Sequence, residues 1–117
     1  MSTWDVAIFA EDDNVDFLDE LGELSSAEVV EAVRDACLLV LKQDKVSETE
    51  RLNGLAAATL AAIWAGAPYS AGDVADSYPY VRELIGEGDE ELNAAAAGVL
   101  ETVEDDEDVD AFTEALS

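Results

Sequence analysis

A helix that is apolar on nearly every side is predicted over residues 47–67, which read SETERLNGLAAATLAAIWAGA. Its start is a capping box, because the oxygen of Ser47 and the carboxylate of Glu50 can satisfy free backbone N–H groups reciprocally. We place its end at about Ala65, because the next residue, Gly66, is of the type favoured as a helix C-cap. A helix that is apolar all round belongs at the centre of a fold. The small residue Gly54 would let a second helix approach it closely.

Two amphipathic helices are predicted before this central one. The first runs from about Asp13 to Leu24, with acidic residues in its first turn, where the helix dipole favours them. The second starts at another capping box, Ser25 to Glu28, and ends near two lysines. Apolar side chains recur at helical spacing in both. The predicted buried positions are Phe17, Leu18, Leu21 and Leu24 in the first helix, and Val29, Val33, Ala36, Cys37, Val40 and Leu41 in the second.

Three further helices are predicted after the central one. A short helix over Tyr80 to Ile85 begins after a proline, the next is capped by Asp89, and the last covers Val109 to Leu116. Between the central helix and the first of these, residues 67–80 form a connection rich in proline, tyrosine, serine and glycine. The predicted buried positions of the last two helices are Leu92, Ala95, Ala96, Val99, Leu100 and Val103, then Val109, Phe112 and Leu116.

The N-terminal segment, residues 4–10, is apolar but lacks helical spacing. No second strand is evident to pair with it, and a lone strand is not stable by itself. We therefore expect this segment to lie extended across the helices, with Trp4, Ile8 and Phe9 filling a groove. The chain is predicted to be a single all-α domain over residues 1–117, a compact bundle of five or six helices with the extended N-terminal segment docked on it.

The composition excludes several classes of function. The chain has 117 residues, no histidine and one cysteine, so Ser-His-Asp and Cys-His catalysis, an intrachain disulfide and nearly all zinc sites are excluded. No glycine-rich phosphate loop is present. Half of the residues are hydrophobic, which distinguishes the chain from a disordered acidic segment. We expect a protein that is not an enzyme and uses no cofactor.

The charge is large and unevenly distributed. The formal net charge is −24: residues 1–33 hold ten acids and no base, residues 34–82 hold six acids and all five bases, and residues 83–117 hold thirteen acids and no base. Nucleic acid and anionic lipid repel such a protein, whereas cations and basic proteins are attracted. We expect no nucleic-acid partner and no membrane association. Residues 55–67 form the longest apolar-rich run, which is shorter than the roughly 20 residues of a membrane span.

These properties favour an acidic protein-binding domain whose partner is a basic protein, for instance in an immunity or inhibitor role. The alternative is a protein or enzyme that depends on a divalent cation and works through carboxylates alone. A third interpretation is that the acid serves solubility. The N-terminus has neither the basic nor the apolar region of a signal peptide, and with a single cysteine we expect a cytoplasmic protein. The oligomeric state stays open.

Aromatic residues are the candidate binding residues. Tyr69, Tyr78 and Tyr80 lie in or beside the connection, and Trp4 and Phe9 lie in the N-terminal segment. Tyrosine is favoured at protein interfaces because it brings contact area at a low entropic cost. The alternative is that the tyrosine rings cover the alanine-rich helices, which bury little surface by themselves.

One acidic stretch has the spacing of calcium ligands. Asp12, Asn14, Asp16 and Glu23 match positions 1, 3, 5 and 12 of an EF-hand loop. Phe17 stands where that loop needs glycine, and the same residues read as the first turns of an amphipathic helix. A calcium site and a helix are therefore competing interpretations of one stretch. A weaker match, Asp106-x-Asp108-x-Asp110, lacks the glutamate at position 12.

The opening of the chain resembles a known family. Trp4 to Phe9, followed by the Asn/Asp-rich step over residues 12–18, is similar to the start of the small bacterial domain-of-unknown-function family 4259. The alanine-rich stretch at 52–67 and the helix at 92–103 resemble later helices of that family. Asp5 and Ala7 stand where the family motif has glycines. The resemblance implies an all-helical fold and supplies no activity, cofactor or catalytic residue.

Overall fold

The computed structural model describes residues 4–43, 45–67, 69, 72–102 and 109–116, which form eight helices and no strand. The all-α bundle is therefore confirmed, with eight helices in the described residues where five or six were predicted; five of the eight have eight residues or more. The helices are α1 Trp4–Phe9, α2 Asp12–Leu21, α3 Ser26–Lys42, α4 Glu48–Trp64, α5 Gly72–Ser77, α6 Tyr80–Glu83, α7 Glu90–Leu100 and α8 Val109–Leu116.

Helix α4 is the centre of the bundle, as predicted. Every residue from Gly54 to Trp64 is buried, and α4 contacts α1, α2, α3, α6, α7 and α8. Helix α3 crosses it closely at Gly54, where an added Cβ would lie 2.3 Å from Cγ2 of Val40. The small residues of α4 thus let neighbouring backbones approach, while Leu60, Ile63 and Trp64 of the same helix are large buried side chains.

The predicted caps are present. Ser47 Oγ accepts a hydrogen bond from the Glu50 amide at 3.1 Å, and a carboxylate oxygen of Glu50 accepts one from the Ser47 amide at 3.0 Å. The equivalent pair opens α3, and Asp89 caps α7 by accepting from the Leu92 amide at 2.8 Å. Asp89 also pairs with Arg34 of α3 at 2.8 Å. After α4, Gly66 adopts a φ of +110°, which glycine tolerates better than other residues.

The N-terminal segment is helical, not extended, which corrects the prediction. A lone extended segment would leave its backbone N–H and C=O groups without partners, whereas a helix begins to pair its own. The amide of Ala10, for example, donates to the carbonyl of Val6 at 3.2 Å. The expected docking is confirmed: Ile8 and Phe9 are buried, and the half-buried Trp4 packs against the core.

Four other local predictions also need correction. Helix α2 ends at Leu21 because the N-cap of α3 requires extended backbone at Ser25, and Leu24 is left 38 % exposed between the two helices. Leu41, in the last turn of α3, is 43 % exposed. The connection contains α5, and α6 ends before Leu84, so it is shorter than predicted. Val103 lies outside the described residues.

The last two helices follow the prediction closely. Leu92, Ala95, Ala96, Val99 and Leu100 of α7 are all buried. Helix α8 has the predicted bounds, and its three predicted core residues Val109, Phe112 and Leu116 are buried. Among the described residues, no helix combines the length and the apolar character that crossing a lipid bilayer requires.

Candidate functional site

An open groove of about 500 Å³ lies between the end of α2, the start of α3 and the segment that joins α5 to α6. We call it the acidic groove, because three carboxylates of the described residues line it and no lysine or arginine does. The lining residues are Asp19, Leu21, Gly22, Glu23, Leu24, Ser26, Val29, Ser77, Tyr78, Pro79, Tyr80 and Glu83. It combines apolar surface with negative charge, which suits a ligand that is both apolar and cationic.

Two tyrosines attach one wall of the acidic groove to α2. The hydroxyl of Tyr78 donates a hydrogen bond to Oδ1 of Asp19, and the hydroxyl of Tyr80 donates one to the carbonyl of Leu18 at 3.0 Å. Their rings lie 5.9 Å apart at an interplanar angle of 48°. Tyr80 is buried beneath this wall, whereas Tyr78 is half-buried at its edge. Tyr78 and Tyr80 are therefore held against α2 by polar contacts.

The electrostatics of this wall follow from these contacts. The hydrogen bond to the Asp19 carboxylate, together with desolvation, raises the pKa of Tyr78 to about 12. Burial raises the pKa of Tyr80, and its neighbours Tyr78 and Asp19 act in the same direction. Both phenols are therefore neutral hydrogen-bond donors near neutral pH.

Tyr69 does not line the acidic groove. Its hydroxyl accepts a hydrogen bond from Nε of Arg82 at 3.1 Å, and Arg82 also pairs with Asp76 at 2.6 Å. The three tyrosines thus divide between two arrangements: Tyr78 and Tyr80 line the groove, and Tyr69 lies beside an exposed ion pair. Tyr80 is part of the core, whereas Tyr78 borders a surface groove.

Trp4 and Phe9 lie elsewhere, beside the interior of the bundle. The indole Nε1 of Trp4 donates to Oγ1 of Thr59 at 2.9 Å, and that hydroxyl in turn donates to the carbonyl of Leu55 at 2.8 Å. Phe9 is only 1 % exposed. Neither residue lines the acidic groove. Their contacts anchor α1 to α4.

The four candidate calcium ligands are not gathered into a ligand set. Helix α2 runs through Asp12, Asn14 and Asp16, so this stretch cannot form the loop of an EF-hand. Asn14 is buried, and its Nδ2 donates to the carbonyl of Ile8 at 2.7 Å. Glu23 lies beyond the helix and lines the acidic groove. Over the described residues, no three His, Cys, Asp or Glu side chains are placed to hold a metal ion. Asp106 and Asp108 lie outside the described residues.

Sequence reasoning missed two of the groove's acids, Asp19 and Glu83. Asp19 and Tyr78 are separated by 59 positions, so nothing in their local sequence indicates that they meet. Glu23 has the sequence spacing of a calcium ligand, whereas in the structure it lines the groove. The tyrosine-rich connection was the one local signal that pointed to this place.

Comparison with known proteins gives one match. A family model described as a domain of unknown function, DUF4259, matches residues 2–116, nearly the whole chain. No curated protein and no solved structure matches. The match confirms the resemblance seen in the opening motif and the later helices. The description of the family states no activity.

Proposed function

The chain belongs to the DUF4259 family, and from this premise we propose that it is a non-catalytic domain that binds a protein partner through that partner's basic surface. The observation that carries the proposal is the acidic groove, where Asp19, Glu23 and Glu83 line one open cavity without a basic side chain. Carboxylates concentrated on one surface raise the local concentration of basic partners and speed their encounter.

The surroundings of the groove strengthen its negative potential. Helix α2 and the start of α3 belong to residues 1–33, which contain ten acidic residues and no basic one. Two of the five basic residues, Arg34 and Arg82, are held in ion pairs with Asp89 and Asp76. A basic partner therefore meets little competition for the carboxylates of the groove.

The side chains of the groove suit binding better than catalysis. With its pKa raised to about 12, the Tyr78 phenol is not a base near neutral pH. The single thiol, Cys37, is buried on α3, and desolvation raises its pKa to about 12, so it is a poor nucleophile. A thiol of this kind also suits the reducing cytoplasm, where we place the interaction. An immunity or inhibitor role, in which the domain masks a basic protein, is the specific form that we propose.

Affinity capture tests the proposal. The immobilised chain is exposed to cell extract at low and at physiological salt, and retained proteins are identified by mass spectrometry. We expect one stoichiometric basic partner that survives physiological salt, because specific contacts persist where a diffuse field is screened. A mixture of basic proteins that washes off with salt would contradict the proposal.

Matched variants localise the interaction. Glu23→Gln with Glu83→Gln removes two charges from the acidic groove, and Glu90→Gln with Glu91→Gln removes two exposed charges from α7. Both variants have the same net charge. We expect the groove variant to lose the partner and the α7 variant to retain it. Equal retention by both would show that only the overall charge matters.

A further inference from the structure

A second open cavity, of about 400 Å³, adjoins the acidic groove. The two cavities share Ser26 and Glu83, and the second is also lined by Ala27, Val30, Leu84 and Glu87. We call the acidic groove the first lobe and this cavity the second lobe. Glu83 and Ser26, in the first turn of α3, line both lobes, so the lobes form one continuous surface.

Both lobes have the same chemical character. The first contains Asp19, Glu23 and Glu83, the second contains Glu83 and Glu87, and no basic residue lines either one. Within the part of the chain that the structure describes, Glu23, Glu83 and Glu87 have no ion-pair partner. Each lobe therefore presents at least one carboxylate that an incoming cation can pair with.

Helix α3 begins at this surface, and a helix N-terminus by itself attracts anions. Here the capping box already supplies the anion. A Glu28 carboxylate oxygen accepts from the Ser25 amide at 3.3 Å and from the Ser25 hydroxyl at 2.8 Å, and these hydrogen bonds lower the pKa of Glu28. The helix end thus does not offset the negative charge of the two lobes.

The apolar part of the lining indicates the shape of the cation. Leu24, Val29 and Pro79 line the first lobe, and Val30 and Leu84 line the second. Lysine and arginine side chains bury their methylene stems on apolar surface while their charged ends remain near carboxylates or water. A compact hydrated metal ion would use the carboxylates and leave this apolar surface uncovered.

We propose that the two lobes bind one extended basic segment of the partner protein, with one lysine or arginine side chain in each lobe and Glu83 between them. This inference rests on the proposed function and names the part of the partner that is recognised. In an extended segment, alternate side chains project to the same side at a spacing of about 7 Å. Since the lobes adjoin at Ser26 and Glu83, the proposed segment carries two basic residues separated by one residue.

The test uses the full chain and a fluorescent peptide that contains the sequence Arg-Ser-Arg. Fluorescence anisotropy measures its affinity and that of peptides in which citrulline, a neutral isostere, replaces one or both arginines. We expect each replacement to weaken binding about fivefold. This factor corresponds to the loss of one of the stronger exposed ion pairs. Glu83→Gln is expected to weaken binding of the Arg-Ser-Arg peptide by at least that factor, and the exposed control Glu90→Gln by less than about twofold.

Three results would overturn the inference: equal affinities for the arginine and citrulline peptides, equal effects of Glu83→Gln and Glu90→Gln, or displacement of the peptide by spermidine at the same molar concentration. The last would identify a polyamine site. Circular dichroism of Glu83→Gln checks that the exposed substitution leaves the fold intact. If capture retains a basic partner while the peptides fail, the two-lobe inference falls and the proposed function stands. If capture also fails, both fall.

Discussion

Helix α4 and the acidic groove are built on opposite principles. In α4, residues 54–64 are all buried, and most of them are small, so backbones approach one another closely. Around the acidic groove, short segments are held by hydrogen bonds from Tyr78 and Tyr80, and Leu24 and the carboxylates remain exposed. Close packing excludes water from the core around α4, whereas the acidic groove leaves charged and apolar surface exposed to solvent.

The difference separates stability from recognition. Alanine side chains bury little area each, so the core around α4 gains dispersion and hydrophobic energy only if its helices stay in close contact. Substitutions there act on the whole bundle. The exposed side chains of the groove, Leu24 and the carboxylates, are largely in solvent, so substituting them should leave the fold nearly unchanged while altering what it binds.

The largest difference in stability is expected from a leucine-to-alanine substitution made once in each region. Leu60→Ala, at a fully buried position of α4, should lower the free energy of unfolding by about 2–5 kcal/mol, through lost transfer energy and the cavity it leaves. Leu24→Ala, at the exposed edge of the groove, should lower it by less than about 1 kcal/mol. Urea denaturation of both variants measures the difference. Similar losses would show that the groove belongs to the same cooperative core.

A second prediction concerns the crossing of α3 and α4 at Gly54. A Cβ added at Gly54 meets a methyl of Val40, whose χ1 is stiff in a helix, so Gly54→Ala introduces overpacking of about 1–3 kcal/mol. The better helix propensity of alanine offsets about 1 kcal/mol of this. We expect a net loss that the added substitution Val40→Ala partly restores, since it removes the opposing methyl. Thermal unfolding of both single variants and the double variant measures this coupling. Additive losses would indicate that the two residues do not meet.

The regions also differ in how well the sequence predicts them. The capping boxes at Ser25 and Ser47 and the Asp89 cap are local signals, and with hydrophobic periodicity they placed α3, α4, α7 and α8 near their observed bounds. The six-residue helices α1 and α5 were not predicted from the sequence. So short a helix makes few hydrogen bonds of its own and depends on other contacts for its stability. Packing against neighbours stabilises it, and that is not a local property.

The candidate site was predictable only in part. Tyr78 and Tyr80 stood out as an aromatic cluster, and both line the groove. The acids did not stand out, because among 29 acidic residues no spacing distinguishes Asp19 or Glu83 from the others. The calcium-ligand spacing from Asp12 to Glu23 is mostly part of the amphipathic pattern of α2. Tertiary contacts between distant segments assemble the groove.

The N-cap of α4 allows a test of the core region in which the expected loss of stability is smaller. Ser47→Ala removes the hydroxyl that accepts from the Glu50 amide and should lower the free energy of unfolding by about 1 kcal/mol. Ser47→Asn is the control, because asparagine is an equally good N-cap residue, and it should lose much less. Chemical denaturation measures both variants. If the two lose the same amount, side-chain capping does not contribute to the stability of α4.

The smallest effect is expected at the groove wall. Tyr78→Phe removes the hydrogen bond to Asp19 but keeps the ring, so near neutral pH it should lower the free energy of unfolding by less than about 1 kcal/mol, given how exposed the pair is. The pKa of this phenol rises from 10.0 to about 12 on folding. Its contribution is therefore fully present below pH 10.0 and is lost as the pH rises toward about 12.

Two measurements check the groove-wall prediction. Denaturation of the wild type and Tyr78→Phe across this range should show a difference in stability that is constant below pH 10.0 and shrinks above it. Ultraviolet titration of tyrosinate at temperatures where the protein stays folded should show a late ionisation that is missing from the variant. A stability difference that does not change with pH would mean that the hydroxyl contributes by packing. The wall would then resemble the α4 core, and the separation between a rigid interior and a polar recognition surface would be less sharp than the structure indicates.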